Sequence, residues 1–347
     1  MRNGHPPFDP KRIFVQKKAR EYPLYAEVRE RYPLATFEEF EGDHRQIPHL
    51  TNETPERFLK TKRDTLILAA RGLSGSIIEN PVQGASDFMF NALGSGCLFG
   101  CVYCYTNLYK LMWHRVAPLT LWANFDELLD HLVQHQKEQG KKVSYEFSCN
   151  NDSIAEGNFF SSTAKFIETI AQTENAWGIC DTKATNVDYL LDLNHNNRIT
   201  ILMTVSPPYI IKNFEYFTGP LEDRIHALNK LKKAGYSIGV SFSPIILRDN
   251  WLEDYVELFR YIDDHLIEDA KEDLIGEAFF YAHRPILEQR LPMFAKHFGI
   301  LCNKEKYALV PKGKGVFRYR ELDGPIESFR TSLQETLPYL ELQYINP

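Results

Sequence analysis

From Asp87 onward, β-prone apolar runs alternate with amphipathic ones, and this alternation limits the folds open to the chain more than any other feature of its 347 residues. Strands are expected at 87–93, 142–149, 177–183, 198–206, 236–244 and 273–282. Helices are expected between them, near 124–140, 161–172, 186–193, 221–234 and 251–266. In the first helix Asn124 is a suitable N-cap with Glu127 three residues on. Phe125, Leu128, Leu129, Leu132 and Val133 then line one face, and Gly140 stops the run. Gly235 is placed to end the 221–234 helix in a left-handed conformation. Strands separated by helices specify βαβ units and a parallel sheet. Right-handed crossovers curl six such units into a partial barrel. The expected fold is therefore α/β, a partial (β/α)6 barrel over 86–299. An N-terminal extension, 1–85, precedes it, with some helix at 38–47 and 54–72, and a C-terminal region with a β-hairpin follows at 300–347.

Active sites of βα barrels sit at the C-terminal ends of the strands. Cys97 to Cys104 follow the first expected strand, Cys149 ends the second, Lys183 the third, Ser206 the fourth and Ser243 the fifth. The reactive side chains thus gather at one end of the barrel.

Three of the six cysteines lie within eight residues, in the spacing Cys97-x3-Cys101-x2-Cys104. A disulfide framework does not suit a cytoplasmic chain of this size. Three thiolates on one tight loop can hold three irons of a 4Fe–4S cubane. The fourth iron stays open to chelate S-adenosylmethionine, whose binding and orientation the protein supplies. Gly96 and Gly100 let the loop wrap the cluster. Structural zinc normally needs a fourth ligand in paired spacing, and Cys149, Cys180 and Cys302 are isolated. Burial of three ordinary core cysteines is the remaining alternative.

The motif and the βα pattern resemble the radical S-adenosylmethionine superfamily, and from about Phe88 to Tyr319 the chain resembles the spore photoproduct lyase family. Tyr103 and Tyr105 flank the third cysteine as they do in that family. Glu146-x-x-Cys149-x-x-Asp152 matches its E-x-x-C-x-x-D, and Thr182 to Leu191 follows its T-K-x-x-x-V-D-x-L-L. Ala234-Gly-Tyr-x-x-Gly239 with Ser243-Pro244 matches the segment beside the adenosine, and Gly313-Lys-Gly-Val-Phe-Arg-Tyr319 resembles a basic hairpin that enters the DNA lesion. Three positions depart from the pattern. Asn151 replaces a serine, Pro207-Pro208 replaces an arginine after Ser206, and the hairpin is spelled differently.

The resemblance implies a radical S-adenosylmethionine lyase that splits a thymine dimer in DNA. It makes Cys149 the hydrogen-atom donor to the product radical, and Tyr105 and Tyr103 a relay back to the cofactor. Lys183 meets the cofactor carboxylate as a point charge, with Ser206, Asn151 and Ser243 also beside the cofactor. Each residue has a plainer alternative. Cys149 suits a small core cysteine, the tyrosines suit packing around the cluster loop, and Lys183 suits a surface site. Cys180 and Cys302 read as structural.

Net charge is −6, so no global basic field draws nucleic acid. Locally, Lys304, Lys306, Lys312, Lys314, Arg318 and Arg320 face only Glu305 between Asn303 and Arg320. Lys312, Lys314 and Arg318 would contact phosphates, and Phe317 and Tyr319 would support or stack on a base. Such runs are otherwise solvated faces. The expected partners are lesion-containing DNA and an electron donor such as flavodoxin or ferredoxin. No apolar run approaches the roughly 20 residues of a membrane span. The first residues lack the apolar core of a secretory signal, so a cytoplasmic monomer is expected. Two rival readings remain: the same radical chemistry on another substrate, and a non-catalytic iron–sulfur or metal-binding protein.

Overall fold

The six expected strands are present and lie in one sheet. In the computed structural model, which describes residues 8–44, 47, 54–82, 85–107, 118–302, 307–313 and 315–347, they are Phe88–Phe90, Val143–Glu146, Ala176–Thr182, Ile199–Thr204, Ser237–Ile245 and Ile275–Phe280. They pair in chain order and in parallel. Glu341–Asn346 adds a seventh parallel strand beside Ile275–Phe280, and Ile77–Glu79 closes the other edge antiparallel to Phe88–Phe90. The result is an eight-stranded half-barrel.

Alternation along each strand sets its two faces. Val143 and Tyr145, then Ala176, Gly178 and Cys180, are buried under the helices. Glu146, Ile179 and Asp181 point to the other side, into the barrel. The helix Phe125–Gln139 runs from Asn124 to Gly140, which takes φ 61°. The Asn124 side chain does not cap the helix. It bridges the Arg71 backbone and the Glu127 carboxylate instead.

Two expectations are corrected. Residues 186–193 hold only a 3-10 turn, Asp188–Leu190, rather than a helix. The helix expected at 38–47 and 54–72 is found only in part. Thr36–Phe40 is a strand, and the 54–72 segment divides into the helix Pro55–Asp64 and the fully buried strand Thr65–Ala69. A five-residue apolar run reads equally as helix or strand by periodicity alone. These strands build a second sheet, in the order Thr36–Phe40, Arg12–Gln16, Thr65–Ala69, Leu119–Trp122, Gly94–Ser95. The segment carrying Cys97 therefore leaves the barrel sheet at Phe90 and passes through this second sheet at Gly94–Ser95. No described helix is long and apolar enough to cross a membrane.

Candidate active site

The cysteine loop is held tightly from both sides. Gly96 takes φ 78°, a left-handed value that suits glycine. Gly100 lies so near the N-terminal helix Pro55–Asp64 that a Cβ there would stand 2.6 Å from Leu59 Cδ2. Internal bonds set the turn. Cys104 N–H donates to the Cys101 carbonyl at 3.2 Å, Asn107 Nδ2 donates to the same carbonyl at 3.0 Å, and Phe99 N–H donates to Cys97 Sγ at 3.3 Å.

The helix also brings two cations to the loop that the sequence reading did not single out. Lys62, fully buried, donates from Nζ to the Cys97 carbonyl at 3.2 Å, and Arg63 Nη1 lies 3.5 Å from the Leu98 carbonyl. Burial pushes the Lys62 ammonium below its usual value, opposed by Cys97, Cys104 and Cys101. Burial likewise raises the Cys97 thiol, to which Asp152 adds, and raises Cys101 to about 12. Among the described residues no three His, Cys, Asp or Glu side chains converge on a point for a single ion. Three thiols spread along one loop fit a cluster three of whose irons take one thiolate each, and the buried Lys62 and half-buried Arg63 suit its negative charge.

Glu215 ties the loop to the barrel. Its carboxylate accepts from the Tyr103 hydroxyl, from Ser206 Oγ at 3.1 Å and from Arg224 Nη2. The Glu215–Arg224 pair is completely buried, and Arg224 also donates to the carbonyls of Thr204 and Gly219, each at 2.9 Å. Burial works to raise the Glu215 carboxyl, but Arg224, Lys183 and the Tyr103 hydroxyl together leave it below its ordinary value. Burial, with Glu215 beside it, pushes the Tyr103 phenol well up. One anion thus orients Tyr103 and Ser206 together. Arg224 had a legible signal: it shares the apolar face of its helix with Leu221, Ile225, Leu228 and Leu231. Glu215 had none.

Asp152 plays the corresponding part for the Cys149 strand end. It caps the short helix Ser153–Gly157 by accepting from Ala155 N–H at 2.9 Å, and it accepts from Thr182 Oγ1 at 2.7 Å and Lys183 N–H at 2.8 Å. Lys183 Nζ lies 5.9 Å from the centre of the Tyr103 ring and 3.5 Å from the Ser243 carbonyl. Ser243 therefore enters through its backbone. Asn151 Nδ2 donates to Ser153 Oγ at 3.1 Å and to Glu156 Oε2 at 2.7 Å.

Cys149 is buried, its Sγ 3.5 Å from the Glu146 carbonyl. Burial and the Glu146 carboxyl push its thiol well above the usual value, so it stays protonated. The half-exposed Tyr105 donates its hydroxyl to the Cys149 carbonyl. Glu146, Asp181 and Glu277 all face the barrel interior. Burial raises Glu146 to about 7, with Asp181 adding to the effect. Burial also raises Asp181, with Glu277 as its neighbour, and it raises Glu277.

The basic segment forms the expected hairpin, Leu309–Pro311 against Phe317–Tyr319. It docks at the same barrel end. Phe317 exchanges two backbone bonds of 2.8 Å with His283, and the Tyr319 hydroxyl accepts from Leu247 N–H at 3.1 Å. Arg284, next to His283, holds its guanidinium 6.0 Å from the Tyr105 ring centre. Tyr319, expected against a base, is instead 2% exposed and anchors the hairpin. Phe317 is half-buried and Lys312 exposed, while Arg318 is half-buried and donates to the Pro347 carbonyl. Lys304, Lys306 and Lys314 lie outside the described residues.

The chain is similar to known proteins over nearly its whole length. The chain is 26% identical to the spore photoproduct lyase of Bacillus subtilis over 344 residues, covering 97% of this chain and 98% of that protein. It is 27% identical to a spore photoproduct lyase of a Geobacillus species, covering 97% and 99%. A solved spore photoproduct lyase complexed with dinucleoside spore photoproduct shares the fold at TM-score 0.85. It is 24% identical, with coverage of 98% of this chain and 100% of that one. A mutant with bound AdoMet and the same dinucleoside also superposes at 0.85, with 24% identity and the same coverage. The family model described as spore photoproduct lyase matches residues 8–346, and the chain belongs to the spore photoproduct lyase family.

Proposed function

We propose that the chain is a radical S-adenosylmethionine lyase that reverses a thymine dimer lesion in DNA. The observation that carries this reading is the contact between Tyr105, on the cysteine loop, and Cys149, at the end of a barrel strand. It joins the radical-generating part of the site to a thiol kept in its hydrogen-bearing form. Cys97, Cys101 and Cys104 would hold a 4Fe–4S cluster, and Lys183 and Ser206 would meet S-adenosylmethionine. Cluster and cofactor together supply a 5′-deoxyadenosyl radical when bound.

The chain's own residues then have distinct tasks. Cys149 gives a hydrogen atom to the thymine radical left after the crosslinking bond breaks. This needs S–H rather than thiolate, which its burial beside Glu146 favours. Tyr105 and Tyr103 return a hydrogen atom toward the cofactor, with the Tyr103 hydroxyl held on Glu215. Lys183 brings positive charge to a mouth whose interior carries Glu146, Asp181 and Glu277. Asp152 fixes its backbone and Ser243 its ammonium.

The hairpin binds the DNA backbone through Lys312, Lys314 and Arg318, with Phe317 supporting the lesion from the same edge. A dinucleotide lesion must leave the base stack to reach the site, and an already distorted one does so at lower cost. A low-potential electron donor such as flavodoxin or ferredoxin completes the reaction. The test is incubation of reduced, reconstituted protein with ultraviolet-irradiated dry DNA. Recovery of thymine is expected. Cleavage of S-adenosylmethionine without any thymine would transfer the same chemistry to another substrate.

A further inference from the structure

A lysine with no exposed surface is rare, because taking an ammonium out of water costs several kcal/mol unless nearby charge compensates it. Lys62 is such a residue. It lies in the last turn of the helix Pro55–Asp64, over the Phe58 ring at 5.4 Å, and it is aimed at the cysteine loop, where its Nζ reaches the Cys97 carbonyl at 3.2 Å. Across the loop it faces the sulfurs of Cys97, Cys104 and Cys101, which become thiolates on holding a cluster. Gly100 lets the helix come this close, since any side chain there would strike Leu59.

Resting on the proposed cluster, we infer that Lys62 is the counter-charge of the cluster and sets its reduction potential. A cubane held by three thiolates carries net negative charge, and adding one electron makes it more negative by one. No proton and no bond is involved in that step. A fixed positive charge in a dry site stabilises the more negative state, because Coulomb interactions there are screened far less than in water. Lys62 thus makes the cluster easier to reduce and easier to assemble. Arg63 adds a second, less buried cation on the Leu98 side. Lys62 is a positioning residue: it touches neither substrate nor cofactor, and it acts through the cluster.

The experiment uses the full chain, reconstituted anaerobically without S-adenosylmethionine, with the reduced cluster followed by electron paramagnetic resonance in a potentiometric titration. K62M removes the charge and keeps the length, while K62R keeps the charge. K62M is expected to shift the midpoint negative, with up to about tenfold less reduced cluster at a fixed potential, equivalent to ~59 mV for one electron. K62R should stay near wild type. If K62M fails to take up iron while K62R loads and titrates normally, the charge is needed for assembly and the inference stands. A loaded K62M with an unchanged midpoint would overturn it, as would equal failure of both variants in protein with a native circular dichroism spectrum. Wild-type protein that takes up no cluster would overturn the proposed function first, and this inference with it.

Discussion

The hydroxyl of Tyr105 donates to the backbone carbonyl of Cys149, so a residue of the cysteine loop is fastened to the end of a barrel strand 44 positions away. The two are held by this bond whichever way the thiol turns. The Cys149 side chain can be changed without breaking it, and the donor role can therefore be tested apart from the architecture.

Cys149→Ala should keep cleaving S-adenosylmethionine, because hydrogen donation follows bond fragmentation. Its products should be abnormal thymine adducts in place of clean thymine. Mass spectrometry of the products, normalised to cluster content, decides the matter. Normal thymine at a uniformly lower rate would assign Cys149 to packing, whose loss typically costs roughly 0.5–3 kcal/mol.

Anaerobically reconstituted protein should hold about four irons per chain, the content of one cubane. Replacing Cys97, Cys101 or Cys104 with Ala should remove the brown chromophore and the cofactor cleavage together. Iron and zinc analysis alongside the absorption spectrum checks this. Tight zinc with no iron uptake would refute the cluster.

Arg224→Met removes one half of a completely buried ion pair and leaves Glu215 without its ion-pair partner. Breaking such a pair typically costs about 3–5 kcal/mol. Denaturant unfolding should show a loss of that order. Any protein that still folds should have lost the fixed orientation of Tyr103 and Ser206, since both hang on the same carboxylate. A change below about 1 kcal/mol would mean that water enters and satisfies Glu215, contrary to its burial.

Glu146 makes stability depend on pH with a definite sign. Its folded value, about 7, stands above the ordinary 4.5 because of burial and Asp181. The folded state therefore holds this proton more tightly than the unfolded state does. The contribution is full below about pH 4.5 and is lost as pH rises through 7. Asp181 and Glu277, also raised, act in the same direction. Tm measured from pH 5 to 8 should fall less in Glu146→Gln than in wild type. Parallel curves for the two proteins would place the Glu146 carboxyl in water.

On DNA, each phosphate contact contributes about 0.9 to the slope of log affinity against log salt for a duplex. Replacing Lys312, Lys314 and Arg318 together with Ala should flatten that slope by roughly two to three if each neutralises one phosphate. An unchanged slope would detach the hairpin from nucleic acid.

The barrel was legible because period-2 alternation and helix stops recur in register from Phe88 to Phe280, and strand ends in a βα barrel all point one way. The cluster loop was legible because three thiols at short spacing have few chemical uses. Other features left no such trace. The run Thr65–Ala69 is too short to distinguish helix from strand, and its partners Arg12–Gln16 and Leu119–Trp122 are remote in sequence. Glu215 becomes informative only when folding places Tyr103, Ser206 and Arg224 around it. Lys62 reads as one more exposed charge in a basic helix, since nothing local says which side of Pro55–Asp64 the loop will cover. Tyr319 carried the right motif but faces inward, because alternation along a three-residue strand turns it opposite to Arg318.

The second sheet changes what the first 85 residues mean for this protein. Gly94–Ser95 and Leu119–Trp122, on either side of the cysteine loop, are strands of that sheet, and Arg12–Gln16 and Thr65–Ala69 are its middle. Cutting the chain after Ala85 would therefore remove three of the five strands of that sheet. Leu119–Trp122 would lose its parallel partner, Gly100 its covering helix, and the thiols the residues that stand between them and oxygenated water. A shortened protein should take up little cluster, and what it holds should bleach on exposure to air, even though every cysteine and every parallel barrel strand is still encoded.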